Sequence, residues 1–282
     1  MGLADYAREH GLKRVGARPS LSQYIAQAWE RRDFAVTFSV FSTEAANARN
    51  RLGRWWLILL PTIQAVIYGL IFGFILGDSR PDNFVPFLFT GVFLFSFFSN
   101  SLLMGAGSIT GNSGLVKSLH FPRMLLPLSA VIRQFINLLP QIGLLILALL
   151  IFGQEVTFDW LALIPILLLM FCFATGLALV SARLTVHIQD LSKLIPFVTR
   201  VAFYVSGIFF SVDKVLGDYP VLLSIMKFNP IYDFIELARG ALVNGYQMTP
   251  FLWWACICWS IGLLIFGLVF FWKVEERYGR ED

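Results

Sequence analysis

Arg133 and Arg200 are the only charges set well inside the apolar stretches of this chain. An ionisable side chain in a bilayer is costly, and it normally faces a partner or a wet cavity. Arg133 lies about nine residues into one stretch and Arg200 about six into another, roughly 10–14 Å from each helix start. From that depth a guanidinium can still reach the interface along its own stem. Two readings therefore stand: a cation that attracts an anion, or an arginine bonding backbone carbonyls and headgroups at a helix entrance. Aromatic residues form the second pattern. Tyr68 and Phe72 are four residues apart, as are Phe89, Phe93 and Phe97, so each set shares one helix face. Such a stripe lines a conduit or packs on lipid and core.

What the stretches lack excludes other chemistry. They contain no Asp, Glu or His. A membrane-embedded enzyme needs a nucleophile with its base, or a metal cluster. An ion-coupled secondary transporter normally places carboxylates near mid-membrane. His10, His120 and His187 share no metal-ligand spacing. Cys172, Cys256 and Cys258 lie in apolar runs, where cysteine acts as a small hydrophobe. No catalytic, metal-ligating or cofactor-binding residue is expected in this chain.

The elements that position these residues are six apolar stretches: Trp55–Gly77, Phe84–Gly107, Leu125–Phe152, Trp160–Ala182, Leu194–Val212 and Phe251–Trp272. Hydrophobic residues make up 57% of the 282 and charged residues 14%, where a soluble chain carries about a quarter charged. A spanning helix needs about 20 mostly apolar residues, and lipid offers the backbone no water partners, so helices are the default. The expected fold is all-α and integral to the membrane, with six transmembrane helices. The segment from Asp213 to Pro250 is long and apolar. Val221–Met226 and Ile235–Val243 within it are too short to span, which predicts re-entrant helices between spans five and six. In the amino-terminal arm, Leu21, Ile25 and Trp29 recur every four residues among polar ones, predicting an interfacial amphipathic helix. Phe34, Val36, Phe38 and Val40 then alternate with period two, which weakens the helical pattern. The expected division is an arm over 1–54, a permease domain over 55–272 and a tail over 273–282.

Charge location orients the chain. The arm holds nine Lys/Arg, the loops after spans two and four hold Lys117, Arg123, Arg183 and Lys193, and the tail holds three more. The opposite side holds only Arg80, Lys214, Lys227 and Arg239. The positive-inside rule then places both termini in the cytoplasm of a plasma (inner) membrane protein. The first 20 residues have no apolar core, so no cleavable signal peptide is expected. Gly69, Gly73 and Gly77 at four-residue spacing would let another helix approach closely.

Several segments resemble the type-2 ABC exporter permeases that move polysaccharides, such as O-antigen, capsule, teichoic-acid and galactan. They are Asn50-Arg-Leu-Gly-Arg-Trp-Trp-Leu-Ile-Leu-Leu-Pro61, Phe121-Pro122 followed by Leu126-Pro127, Asp190, and Asn229-Pro-Ile-Tyr-Asp-Phe234 with Arg239. The resemblance covers about Arg31 to Tyr278. The arm departs from it, being longer before Ser20 and around Thr43–Ala48. The resemblance implies a half-transporter that pairs as a homodimer and docks two ABC ATPase subunits, with ATP and Mg on those subunits. The chain has no G-x-x-x-x-G-K-[ST] phosphate-binding loop. The implied substrate is a lipid-linked glycan, handled among membrane lipids with no nucleic acid. Arg133 and Arg200 are then candidates to attract its pyrophosphate. Tyr68, Phe72, Phe89, Phe93 and Phe97 are candidates for an aromatic channel against which sugar C–H faces slide. The implied ATPase-coupling surface comprises Arg31, Arg32, Leu115, Lys117, Leu119, His120 and Asp190. Export of a small lipid or drug by the same superfamily is the alternative.

Overall fold

The computed structural model describes residues 19–47, 51–77 and 80–275. These residues are helical, without strands. The helices are α1 (Leu21–Glu30), α2 (Arg32–Asn47), α3 (Trp56–Ile75), α4 (Phe84–Ala106), α5 (Ser113–Ser118), α6 (Leu125–Ile151), α7 (Leu163–His187), α8 (Leu191–Val205), α9 (Val212–Leu216), α10 (Pro220–Met226), α11 (Pro230–Leu242) and α12 (Pro250–Trp272). Among the described residues, five segments are long and apolar enough to cross a membrane: α3, α4, α6, α7 with its leading 3-10 turn, and α12.

The fifth expected span differs. A helix over Leu194–Val212 was expected; α8 instead starts at Leu191 and stops at Val205. Fifteen residues reach about 22 Å, short of a ~30 Å hydrocarbon core. The stop is local: Gly207 adopts φ +62°, and a Cβ there would lie 2.9 Å from Val212 and 3.0 Å from Tyr232. The fourth segment also shifts. Its helix runs on to His187, so Arg183 is helical and packs its guanidinium over the Phe270 ring at 3.7 Å.

The alternation from Phe34 to Val40 is not a strand signal, since α2 runs through it. Phe34 and Phe38 stack one turn apart with ring centroids at 5.6 Å. Val36 and Val40 lie exposed on another face, while Ala35, Ser39 and Thr43 are buried. Helix α2 packs on α6; apolar side chains on both faces produced the two-residue rhythm. Helix α1 begins with a capping box in which Ser20 and Gln23 exchange hydrogen bonds.

The bundle is centred on α4 and α7. Helix α12 packs along α7, and α4 packs on α6 and α7. Glycines set the close crossings. A Cβ on Gly176 would lie 2.5 Å from the Leu263 backbone, and one on Gly267 2.6 Å from the Gly176 carbonyl oxygen. Gly69 and Gly73 do admit a neighbouring helix, but it is α4 of the same chain: their added Cβ atoms would meet Leu88 at 3.4 Å and Phe84 at 3.5 Å. Pro61 inside α3 has no N–H for the Leu57 carbonyl. Gln141 of α6 replaces it, donating to Leu57 O at 3.0 Å while Ser96 of α4 donates to Gln141 Oε1 at 3.2 Å.

At one end, α1, the α5–α6 junction and the residues after α12 converge. Tyr24 Oη donates to Glu275 Oε2 at 2.7 Å and accepts from Met124 N–H at 3.1 Å. Arg123 N–H donates to Glu275 Oε1 at 3.0 Å, and Trp272 Nε1 donates to Pro19 O at 2.9 Å. Burial pushes the Glu275 carboxyl up from its ordinary value, with the Arg123 and Tyr24 hydrogen bonds and the Arg123 charge pulling the other way. The first residues expected to form a separate tail thus pack against the arm.

Candidate functional site

An open cavity of about 540 Å³ lies between α3, α4 and α8. Gln64 and Tyr68 reach it from α3, Ser96, Ser99 and Asn100 from α4, and Thr199, Arg200 and Tyr204 from α8. Its apolar walls include Phe95 and Phe203, which meet edge to face at 5.0 Å. Aromatic faces beside hydroxyl, amide and guanidinium groups suit an elongated amphipathic guest: rings take C–H faces, and polar groups exchange hydrogen bonds.

A second cavity, about 310 Å³, lies between α2, the end of α4 and α6. Ser39 and Ser42 of α2, Ser108 and Asn112 beyond α4, and Ser129 and Arg133 of α6 line it. Leu103 lines both cavities, so the two adjoin along α4. The hydroxyls of Ser39, Ser108 and Ser129 and the Asn112 amide donate to backbone carbonyls. Arg133 and the Ser42 hydroxyl therefore supply the uncommitted donors among these polar residues.

The two arginines differ from most of the others; exposed Arg51 also lacks a partner among the described residues, but it lines neither cavity. Arg31, Arg32, Arg80, Arg123, Arg183 and Arg239 all donate to backbone carbonyls. Among the described residues, Arg133 and Arg200 have neither a hydrogen-bond nor an ion-pair partner, and Arg133 Nε is buried without one. Neither bonds a backbone carbonyl among the described residues, and each faces a cavity. They do not share one: Arg200 lines the first and Arg133 the second.

The aromatic candidates divide. Tyr68 lines the first cavity; Phe72 is behind it, stacked on Phe209 at 4.1 Å. Phe93 and Phe97 are fully buried, with Phe97 against Phe98 and Phe135, and Phe89 packs edge to face on Phe93. That stripe is core, a correction with a simple cause. Spacing by four places residues on one face, and packing decides which face meets the cavity; here it is the Val92–Phe95–Ser99–Leu103 face. Reading the sequence for aromatics alone missed Phe95, Phe203 and Tyr204. The polar set Ser96, Ser99 and Asn100, clustered within about one turn of a largely apolar helix, is the signal that marks this face.

The expected coupling residues are partly brought together. Arg31 Nη1 donates to His120 O at 2.5 Å, and Phe34 packs on Phe121 at 5.2 Å, joining the arm to the segment after α5. Arg32 lies over the Trp29 ring at 5.1 Å. Lys117, Leu119 and His120 are exposed, while Leu115 packs against the buried cluster around Tyr24. Asp190 is exposed and pairs locally with Lys193 at 3.4 Å.

Arg239, placed by its charge in an external loop, is instead fully buried in α11. It donates to Phe87 O from Nε and Nη2 at 3.2 Å each, to Gly207 O at 2.9 Å, to Ile208 O at 3.2 Å and to Glu236 Oε1 at 2.6 Å. It thereby fixes the turn that ends α8. That turn carries Phe209, which meets Tyr68 at 5.1 Å, so Arg239 supports the first cavity from behind. The i,i+3 pair Glu236–Arg239 within an apolar run was the available clue.

The sequence is similar to those of known export proteins. The O-antigen export system permease protein RfbA of Klebsiella pneumoniae is 26% identical over 231 residues, covering 80% of this chain and 86% of that protein. The polysialic acid transport protein KpsM of Escherichia coli is 28% identical over 203 residues, covering 70% and 76%. The capsule polysaccharide export inner-membrane protein CtrC of Neisseria meningitidis is 24% identical over 237 residues, covering 81% and 86%. Residues 40–243, which hold both cavities' principal walls and the Arg239 support, match the ABC-2 type transporter model, and the chain belongs to that family.

Proposed function

We propose that this chain is the membrane-spanning subunit of an ATP-driven exporter that carries a lipid-linked cell-surface polysaccharide across the plasma membrane. The observation that carries the reading is the pair of partnerless arginines, each facing one of two adjoining cavities. A glycan on a lipid pyrophosphate has an anionic junction between an apolar tail and a polar polymer. Arg133, beside the arm, receives the anionic junction. Arg200 and the aromatic and hydroxyl groups of the larger cavity accompany the glycan. The relatives' names, O-antigen export, polysialic acid transport and capsule polysaccharide export, support a polysaccharide.

In this reading α8 with the buried turn after it completes a sixth crossing, α10 and α11 are re-entrant, and α1 lies in the membrane interface. The arm over 1–54, the permease domain over 55–272 and the tail over 273–282 keep both termini cytoplasmic. Two copies pair, and two separate ATPase subunits hold ATP and Mg. They dock on a surface that includes Arg31, Arg32, Leu115, Lys117, Leu119, His120 and Asp190.

Depleting the chain tests the function: lipid-linked glycan should accumulate on the cytosolic leaflet, and no accumulation refutes the reading. Arg133→Gln with Arg200→Gln tests the site. The double variant should assemble and stimulate ATP hydrolysis yet export poorly; normal export would remove the arginines from the mechanism. Transport of a small lipid or drug with no effect on glycan would favour that alternative.

A further inference from the structure

Asp233 is 1% exposed, and neither carboxylate oxygen has a hydrogen-bond partner among the described residues. An orphaned buried carboxylate costs several kcal/mol unless it finds a donor. The basic residues closest to it in sequence pair elsewhere: Arg239 holds Glu236 at 2.6 Å, and Lys227 holds Asp213 at 3.0 Å. Asp233 lines an open cavity of about 640 Å³ between the α10–α11 junction and α12, separate from the two described above. Lys227 also lines it, and its side chain remains 45% exposed. Phe228 and Trp259 meet edge to face at 5.2 Å in the same wall. Phe251 and Phe266 of α12 extend it as an exposed apolar face, 63% and 55% exposed.

We propose that this cavity binds an aminophospholipid, with the primary ammonium of the headgroup on Asp233, its phosphate on Lys227 and its acyl chains along α12. Charge complementarity selects this occupant. A primary ammonium offers three N–H donors to a carboxylate that lacks any. The phosphate beside it suits Lys227, which can share its ammonium between Asp213 and a second anion. A choline headgroup is attracted to aromatic faces but has no N–H to give. A glycerol headgroup leaves the phosphate without an ammonium to balance Asp233. The Asp233 carboxylate is sealed in this structure, so the wall over it must open to admit the headgroup. The site requires only that the chain spans a membrane, and it is independent of what the exporter carries.

Native mass spectrometry of the purified full-length permease tests the proposal, using phosphatidylethanolamine, phosphatidylcholine and phosphatidylglycerol of matched chains. A charge-assisted contact predicts about tenfold stronger retention of phosphatidylethanolamine. Asp233→Asn should reduce it to the phosphatidylcholine level while the protein keeps its elution volume and melting temperature. Equal retention of the three lipids, or unchanged preference in the variant, overturns the proposal. Because the variant could misfold, a photoactivatable phosphatidylethanolamine on the unaltered protein gives a second readout. Labelling should concentrate in Phe251–Phe266, in competition with unlabelled phosphatidylethanolamine but not phosphatidylcholine. Labelling confined to other helices refutes the site. Its failure would leave glycan accumulation on depletion untouched, so the two readings fail separately.

Discussion

Replacing Arg239 with methionine removes the cation while keeping much of the apolar stem. The change strips Gly207 O and Ile208 O of donors, removes the extra donors on the helical Phe87 O, and leaves the Glu236 carboxylate, 16% exposed, without its partner. The five hydrogen bonds do not add up to the cost, because each replaced a bond to water in the unfolded chain. The larger effect is the abandoned carboxylate: breaking a buried pair from one side costs about 3–5 kcal/mol. Glu236→Gln in the same background replaces that charge with a neutral amide, so the double variant should recover about 1–2 kcal/mol of the loss. Arg239→Lys should fall between, since an ammonium is a compact point charge and cannot span carbonyls on two elements as the fork does. Gly91→Ala attacks the same group independently, because its Cβ would lie 2.9 Å from Arg239 Nη2. Unfolding of the purified permease in lipid nanodiscs, followed as a double-mutant cycle, gives the coupling. The turn at Gly207 should loosen, and with it Phe209 against Tyr68 and Phe72, so export should fall with stability. A loss below about 1 kcal/mol for Arg239→Met, or a double variant as unstable as the single, would refute the argument that the pair holds this turn.

Three further outcomes follow from the packing. Gly176→Ala should destabilise the α7–α12 crossing by about 1–3 kcal/mol, because the new methyl would sit 2.5 Å from the Leu263 backbone, with melting temperature as the measure. Gln141→Leu should cost about 1–3 kcal/mol by abandoning the Leu57 carbonyl that Pro61 already leaves unpaired; a Pro61→Ala background should relieve part of that loss. Burial raises the Glu275 carboxyl, so the folded end cluster holds its proton to a higher pH than the unfolded chain does. Its contribution should therefore be most favourable at mildly acidic pH and decline as pH rises from the ordinary glutamate value through the raised one. Protease protection of the arm between those limits is the check, and Glu275→Gln should flatten the profile.

The helices were legible where hydrophobicity runs uninterrupted. Phe84–Ala106, Leu125–Ile151 and Pro250–Trp272 fall within a residue or so of the stretches read from sequence. The fifth span was not, because Leu194–Val212 is equally apolar on both sides of Gly207, and the break is stabilised from afar, by Arg239 on the Gly207 and Ile208 carbonyls and by Asn229 on Ser206. The arginines were found because a charge in an apolar run is conspicuous. That each lacks a partner among the described residues, and that each faces a different cavity, could not be found that way.

Sequence by itself therefore determined the solvent of this protein, the place of five of its apolar helices and its exporter family. Hydrophobicity, charge and proline are properties of a residue or its near neighbours, and the bilayer reads them segment by segment. Tertiary structure alone decided which face of α4 meets a cavity and which is core. It also turned Arg239 from a loop cation into a buried support and left Asp233 without a partner. Those outcomes depend on contacts between residues far apart in the chain: Arg239 meets Phe87 across 152 positions, and Tyr24 meets Glu275 across 251. Such pairings are fixed only when the helices pack.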